Sequence, residues 1–276
     1  GNDAFQETNT MGITAPITKA NVFATDADTV GDDVGTALAL AGSGRQGPTL
    51  VDLPKNVTQN ETDIEPSEPT TPGSYQVPDP KADEEIVEAA AAALADAERP
   101  LILSGGGVIK GEASDELREF AVEYGIPVVT TMPGLGSFPE DHPLALEMGG
   151  MHGTGYANLG LSHCDVLLGV GTRFDDRLTG GIETFAPDAE VIHVDIDPAE
   201  VSKNIHADYP LIGDAGPVID QLHRAMPRTP PAEAWRERTQ EWKTQYAMGY
   251  DTPQDKPLKP QFVVEAFDEA AADDAI

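Results

Sequence analysis

The residues best equipped for chemistry sit in Gly169–Gly181, which reads GVGTRFDDRLTGG. The apolar run Val166–Leu168 leads into it, and Gly171, Arg173, Asp175, Asp176 and Arg177 follow within seven positions. An apolar run ending in glycines reads as a buried strand of a parallel sheet. Loops at the carboxyl ends of such strands are where open α/β sheets bind ligands. Arg173 and Arg177, one helical turn apart, offer fork-shaped donors suited to phosphate. A solvated Arg/Asp turn is the plain alternative. Gly105–Gly107 stands between an expected strand and helix, where backbone amides could face a phosphate or a cofactor ring, although full G-x-G-x-x-G spacing is absent. A tight strand–helix turn explains it equally well. Asp195 closes another expected strand, the position from which a carboxylate takes ribose hydroxyls, or from which it caps a helix together with Asp197. Gly213 and Asp214 follow a last short strand and admit the same two readings.

Met148–Gly155, MGGMHGTG, is too glycine-rich for a helix and, at His152, too polar for a core. It reads as backbone laid against a flat ligand, although a lone loop histidine is more often simply hydrogen-bonded. No cluster of His, Cys, Asp or Glu has metal-ligand spacing. Ser162, His163 and Cys164 are adjacent, but a catalytic dyad needs side chains opposed in space, so they read as core or surface. The charge balance, 48 acidic against 17 basic residues and net −31, excludes nucleic acid as a partner. Scattered acids with only eight lysines suggest the salt-adapted surface of a halophile, with an acidic mesophilic protein as the alternative. No apolar run approaches the ~18 residues of a membrane span. The single Cys164 allows no internal disulfide, which fits a reducing, cytoplasmic compartment.

Regular elements are needed to hold these residues. From Ala82 the sequence alternates: a helix with Ile86, Ala90, Ala93, Leu94 and Ala97 on one face, then a strand at Leu101–Leu103. A helix capped by Ser114 carries Asp115 and Glu116 in its first turn and stops at Gly125. Strands follow at Pro127–Thr130, Val166–Val170, Val191–Asp195 and Leu211–Gly213, with helices at Tyr156–His163 and Pro217–Ala225. This alternation implies a doubly wound parallel sheet. Before it, residues 26–41 read as a helix and Pro48–Leu53 as a strand. Residues 58–80, with seven Thr, Ser or Asn and five prolines, read as a linker. Pro227–Pro231 reads as a second linker, before helices at Ala234–Tyr246 and Pro260–Ala271. A start at Gly1 and a finish inside a helix read as cuts in a longer protein.

GNDAFQE, ITKAN, GRQGPTLVDLPK, SGGG, TTMPGLGSFPEDHPL, GMHGT, GTRFDDR and HVDIDPAE occur in this order. Together they resemble the catalytic subunit of acetohydroxyacid synthase (acetolactate synthase), a thiamine-diphosphate enzyme family of branched-chain amino-acid biosynthesis. The resemblance implies an α/β fold whose central, Rossmann-like, doubly wound parallel-sheet domain binds FAD. Partial α/β thiamine-diphosphate-binding domains would flank it. Residues 1–60 would be the C-terminal part of the pyrimidine-binding domain, 61–80 a linker, 81–228 the FAD domain, and 229–276 a linker and the start of the diphosphate-binding domain. Carried over by motif, Gln6 would lie beside thiamine diphosphate, Lys19 would line the substrate channel, and Arg45 would contact FAD. Further FAD contacts would be Gly105, Gly106, Thr131, Met132, Gly150, Met151, His152 and Gly153. Gly171, Thr172, Arg173, Phe174, Asp175, Asp176, Arg177, Asp195, Ile196, Gly213 and Asp214 would complete the set. Asn2 and Gln46 depart from a usual Thr and Pro of the family.

The same resemblance implies condensation of pyruvate with a second pyruvate or 2-oxobutyrate, with loss of carbon dioxide. A homodimer or homotetramer, with a regulatory small subunit as an option, is implied as well. The glutamate that activates thiamine and the motif that holds magnesium fall outside residues 1–276, so the piece alone is expected to be inactive. Another thiamine carboligase, such as glyoxylate carboligase, or a non-catalytic nucleotide-binding module are the alternative readings.

Overall fold

A computed structural model describes residues 5, 7–75, 79–251 and 257–272. In chain order the first elements are α1 (Thr10–Thr14), β1 (Ala20–Phe23), α2 (Val30–Gly42), β2 (Thr49–Asp52) and α3 (Lys55–Thr58). The central run is α4 (Glu84–Asp96), β3 (Pro100–Ser104), α5 (Gly106–Lys110), α6 (Ser114–Tyr124), β4 (Val128–Thr130) and β5 (Ala145–Met148). It continues with α7 (Gly155–His163), β6 (Val166–Val170), α8 (Asp176–Thr179), β7 (Glu190–Asp195), β8 (Tyr209–Ile212) and α9 (Ala215–Ala225). Two helices follow, α10 (Glu233–Gln245) and α11 (Pro260–Ala270).

β3 (PLILS) and β6 (VLLGV) are buried at every position. Continuous apolar runs of this kind suit strands covered on both faces. They sit at the centre of a six-stranded parallel sheet of order β5-β4-β3-β6-β7-β8, paired from Pro100↔Val166 to Ser104↔Val170. The chain winds outward from β3 to β5, returns to the other side of β3, and winds outward again to β8. The reversal lies between β3 and β6, and it opens a crevice at their carboxyl ends.

Successive side chains of a strand point to opposite faces, so each strand feeds two cores. On one face Ile102, Leu168 and Val194 pack with Val87, Leu94, Leu117, Phe120, Val218 and Leu222 of α4, α6 and α9. On the other, Leu101, Leu103 and Leu167 pack with Tyr156, Leu161, Trp235 and Trp242. Each such buried side chain contributes about 1.5–3 kcal/mol. α10 lies past the expected boundary at residue 228 and still closes this second core. Its Trp235 Nε1 donates to the Pro100 carbonyl at 3.0 Å, and its two tryptophan rings meet edge to face 5.6 Å apart.

The first segment is a smaller layer. β1 and β2 pair in parallel from Ala20↔Thr49 to Phe23↔Asp52, with α2 packed against both. The Pro-rich stretch expected as a linker lies along α2: the Ser67 amide donates to Asp32 Oδ1 at 2.7 Å, and Pro66 abuts Gly31.

Three local expectations differ from the fold. α4 buries Val87, Ala90, Ala91, Leu94 and Ala95, a face rotated from the expected one. Alanines ring this helix, so periodicity alone does not single out a face. Ala113, not Ser114, stands at the N-cap of α6 and makes no side-chain cap; Ser114 is its first helical residue. β5 was not expected, because Glu147 breaks its apolar run and its pairing with β4 shifts register between Val128 and Thr130. A bulge of this kind re-aims the strand end.

Candidate functional site

A cavity of about 790 Å³ opens at the carboxyl ends of the central strands. It is within the usual range for small-molecule and cofactor sites. Gly42, Gly44, Arg45 and Gln46 of the loop after α2 form one wall, so both sheets contribute to it. Four of the chain's 17 basic residues, Arg45, Lys110, Arg173 and Arg177, line it. Four acids, Asp175, Asp195, Glu200 and Asp214, line it as well, so in a chain of net charge −31 the lining itself is balanced.

Of the residues singled out from the sequence, Arg45, Gly106, Thr131, Met132, Met151, His152, Gly171, Thr172, Arg173, Asp175, Arg177, Asp195, Ile196, Gly213 and Asp214 line the cavity. Gly105, Gly150, Gly153, Phe174 and Asp176 stand behind or beside that wall, outside the lining. Lys19 is also outside it: its ammonium donates to the carbonyls of Leu40 and Ser43, closing the end of α2. Gln6 lies outside the described residues.

The glycines at the reversal act mainly by close packing. A Cβ on Gly105 would stand 2.2 Å from the Gly171 carbonyl oxygen, and one on Gly171 would stand 2.4 Å from the Gly107 Cα. Gly171 also has φ +58, which side chains rarely adopt. The Gly105 and Gly107 amides donate to the Val170 and Gly171 carbonyls at 2.8 and 3.0 Å, so neither is available to a phosphate. Among the described residues, the backbone N–H groups of Gly106, Thr172 and Arg173 have no hydrogen-bond partner. These three border the cavity and are open to an anion.

The two long loops brace each other. The Met151 amide donates to the Arg177 carbonyl at 2.8 Å. Gly150 sits at φ +97, where a Cβ would come within 2.6 Å of the same carbonyl. Asn158 of α7 accepts from the Gly150 amide at 2.8 Å and donates back to its carbonyl at 3.0 Å. Asn204 Nδ2 donates to the Arg173 and Phe174 carbonyls, both at 3.2 Å. Sequence reasoning missed both asparagines, since a single amide, on a helix or in a loop, carries no spacing signal. Phe174 is buried against His193 and Phe185, and this anchors the Arg173–Arg177 turn from below.

Electrostatics differ along the cavity. Arg173 makes an exposed 3.2 Å ion pair with Asp175, the arrangement of a solvated turn. Arg177 has no ion pair among the described residues. Asp195 is pushed above the ordinary carboxylate value by burial, partly opposed by the Asp197 amide, which donates to its Oδ1 at 2.9 Å. Asp214 caps α9, accepting from the Ala215 amide at 2.8 Å. Asp214 is thus a helix cap that also lines the cavity, whereas Asp195 lines the cavity and holds a turn, with no helix following it. Lys110, at the end of α5, was missed because an isolated lysine after a glycine turn matches no motif.

Beneath the floor, His193 Nε2 donates to the Thr172 carbonyl at 2.8 Å, which fixes its tautomer. Its Nδ1 is buried without a partner, and burial pushes its pKa below the ordinary value. Away from the cavity, Ser162, His163 and Cys164 all bond to backbone carbonyls of α7, and burial raises the Cys164 thiol to about 12. No dyad forms there. Among the described residues no His, Cys, Asp or Glu group has the arrangement of a metal site, and no helix is long and apolar enough to cross a membrane.

A doubly wound parallel sheet with a cavity at its strand-order reversal defines the class: an α/β domain of the open-sheet type. Residues 87–222 match the family model of the thiamine pyrophosphate enzyme central domain. The chain is 43% identical over its full length to the acetolactate synthase large subunit of Corynebacterium glutamicum, of which it covers 45%. It is 46% identical over 96% of its length to a probable acetolactate synthase large subunit of Methanocaldococcus jannaschii, again covering 45% of the relative. With acetolactate synthase 1, chloroplastic, of Zea mays, identity is 38% over the whole chain and 44% of the relative. The chain belongs to the acetolactate synthase family of thiamine-diphosphate enzymes. It spans about 45% of the length of these relatives.

Proposed function

We propose that the cavity is an FAD site and that the chain serves, in an enzyme of full family length, the decarboxylative condensation of pyruvate with a second 2-oxo acid. The observation carrying this reading is the cavity at the strand-order reversal, with its four cations, its open amides and its strand-end carboxylates. The residues present fit the group. The Gly106, Thr172 and Arg173 amides with Arg45, Arg173 and Arg177 suit a diphosphate. Asp195 and Asp214 suit ribose hydroxyls. Met132, Met151 and Pro133 offer an apolar surface to a flat ring.

Bound flavin supplies a redox-capable ring, which the family resemblance treats as largely structural, while thiamine diphosphate supplies carbanion stabilisation. This chain's own residues bind and orient. Gln6 is assigned a place beside thiamine diphosphate, Lys19 to the substrate channel, and magnesium to residues outside this chain. The same reading takes in 2-oxobutyrate as a second substrate, a homodimer or homotetramer, an optional regulatory subunit, a cytoplasmic location and the domain limits at residues 60 and 80, while the limit expected at residue 228 moves past α10, which packs into the central core. A halophilic origin is part of it: melting in dilute and in molar KCl should differ, with the acidic surface stabilised by salt. Equal melting temperatures would remove that part.

The test is flavin fluorescence during titration of FAD into the chain in molar KCl. Arg173→Ala and Arg177→Ala should each weaken binding by about 1.5–3 kcal/mol, the scale of a charge-assisted hydrogen bond. If both are surface groups only, affinity stays within ~1 kcal/mol. Absence of FAD binding by the unaltered chain would defeat the flavin reading.

A further inference from the structure

We propose that Glu200, supported by Asp197, is a positioning residue that holds Arg45 with its Nε and Nη2 donors free for an anionic group in the cavity. The proposal rests on the dinucleotide reading of that cavity. Arg45 comes from the loop between α2 and β2, whereas its partners follow β7. Its Nη1 donates to Asp197 Oδ2 at 2.7 Å and to Glu200 Oε1 at 2.8 Å. Both ion pairs therefore fall on one nitrogen. Among the described residues Nε and Nη2 have no partner, and the side chain is about half exposed (49%). A guanidinium gripped in this way keeps the two-pronged edge that matches a phosphate.

Glu200 is only 6% exposed and itself lines the cavity. A carboxylate in the wall of an anion site would repel the ligand unless its charge were used. Here Lys203 Nζ approaches Glu200 Oε1 and Oε2 at 3.2 and 3.3 Å, so two acids face two bases and the cluster is locally neutral. Attraction of the ligand by excess charge is thus not what Glu200 supplies; it fixes direction. Asp197 is braced in turn, with its Oδ1 accepting from the Ala199 amide at 2.9 Å and its own amide bound to Asp195. Burial works to raise both carboxyls, but the Arg45 hydrogen bond, together with the Ala199 amide at Asp197 and Lys203 at Glu200, outweighs it and holds both below their ordinary values. A freed Arg45 would spread over many rotamers and would have to be ordered again by the ligand.

The experiment is a double-mutant cycle on the chain, with FAD as the probe and flavin fluorescence as the readout. Glu200→Gln should weaken FAD about 5–20-fold, less than a whole charge-assisted contact because Asp197 keeps its hold on Nη1, and Arg45→Ala by at least as much. In the Arg45→Ala background Glu200→Gln should add nothing, because the two act as one unit. Equal losses in both backgrounds, or no loss at all, overturn the positioning role. A ligand-free measurement separates this from the flavin reading: backbone hydrogen exchange over residues 42–47 should speed up in Glu200→Gln and in Asp197→Asn. Unchanged exchange in both variants refutes the grip whatever FAD does. Altered exchange without FAD binding by the unaltered chain would uphold the grip and defeat the dinucleotide reading instead.

Discussion

The two sheets of this chain are built to different standards. In the central sheet β3 and β6 are buried at all positions, and helices cover both faces. In the smaller sheet no residue of β1 or β2 is fully buried, and Phe23 is 51% exposed. Yet both lend residues to one cavity, the smaller one through Arg45 and its neighbouring glycines. Rigidity and site geometry therefore have separate sources. The central sheet can hold its half of the cavity from its own core, while the Arg45 loop depends on a two-acid grip from across the gap.

The largest expected effect tests how much of the central sheet's order rests on bare backbone contact. Gly171→Ala places a methyl 2.4 Å from the Gly107 Cα at φ +58, where neither strain nor clash can be relieved by a side-chain rotation. We expect more than about 4 kcal/mol of destabilisation, at the upper end of single substitutions. Gly180, in the same loop and also at φ +58, has nothing within 4 Å of the added methyl. Gly180→Ala should cost about 1–3 kcal/mol, the backbone strain alone. Urea unfolding followed by circular dichroism compares them, and similar values would show that the close approach of the turn after β6 to α5 matters little.

The next effect compares the two sheets directly. Leu168→Ala removes a fully buried side chain from the middle of β6 and should cost about 2–5 kcal/mol. Val51→Ala at the matching depth of β2, where the side chain is only partly buried, should cost about 1 kcal/mol or less. Equal unfolding midpoints for the two variants would mean that the smaller sheet is as well supported as the central one.

The central sheet was legible because its interior strands are unbroken apolar runs, Leu101–Leu103 and Val166–Val170, separated by helix-length segments. β5 escaped because Glu147 and a register shift hide a four-residue strand. The cavity's principal cations were legible for a different reason: Arg173 and Arg177 follow a strand and a glycine turn, a local pattern. Arg45 was found only through the family resemblance, since nothing near it in sequence announces partners 152 and 155 residues away. Asn158 and Asn204 brace the loops through paired bonds from one side chain to backbone, and Glu200 through Arg45 far away in sequence, none of which leaves a period or spacing to read.

The smallest effect is a pH dependence that should belong to the central region alone. All six histidines lie between His142 and His223, and residues 1–60 have none. His193 is the buried one, beneath the Thr172–Phe174 turn, and burial lowers its pKa from the ordinary 6.5. Its surroundings are the Thr172 carbonyl, the Phe174 ring, and at longer range the carboxylates of Asp195 and Glu200. In the folded chain the ring stays neutral where the unfolded chain already binds a proton. Its contribution is thus fully present above pH 6.5 and is lost as pH falls toward the lowered folded value. Asp195 works in the opposite direction, since burial raises its carboxyl, but from the ordinary carboxylate range well below this window. His193→Gln offers an amide donor in place of the ring N–H and removes the titration. Between pH 7 and 5.5 the melting temperature of the unaltered chain should fall more steeply than that of the variant, with the curves converging in slope above pH 7. Parallel curves throughout would mean that His193 titrates alike in folded and unfolded chains, and that the floor of the cavity is wetter than its burial indicates.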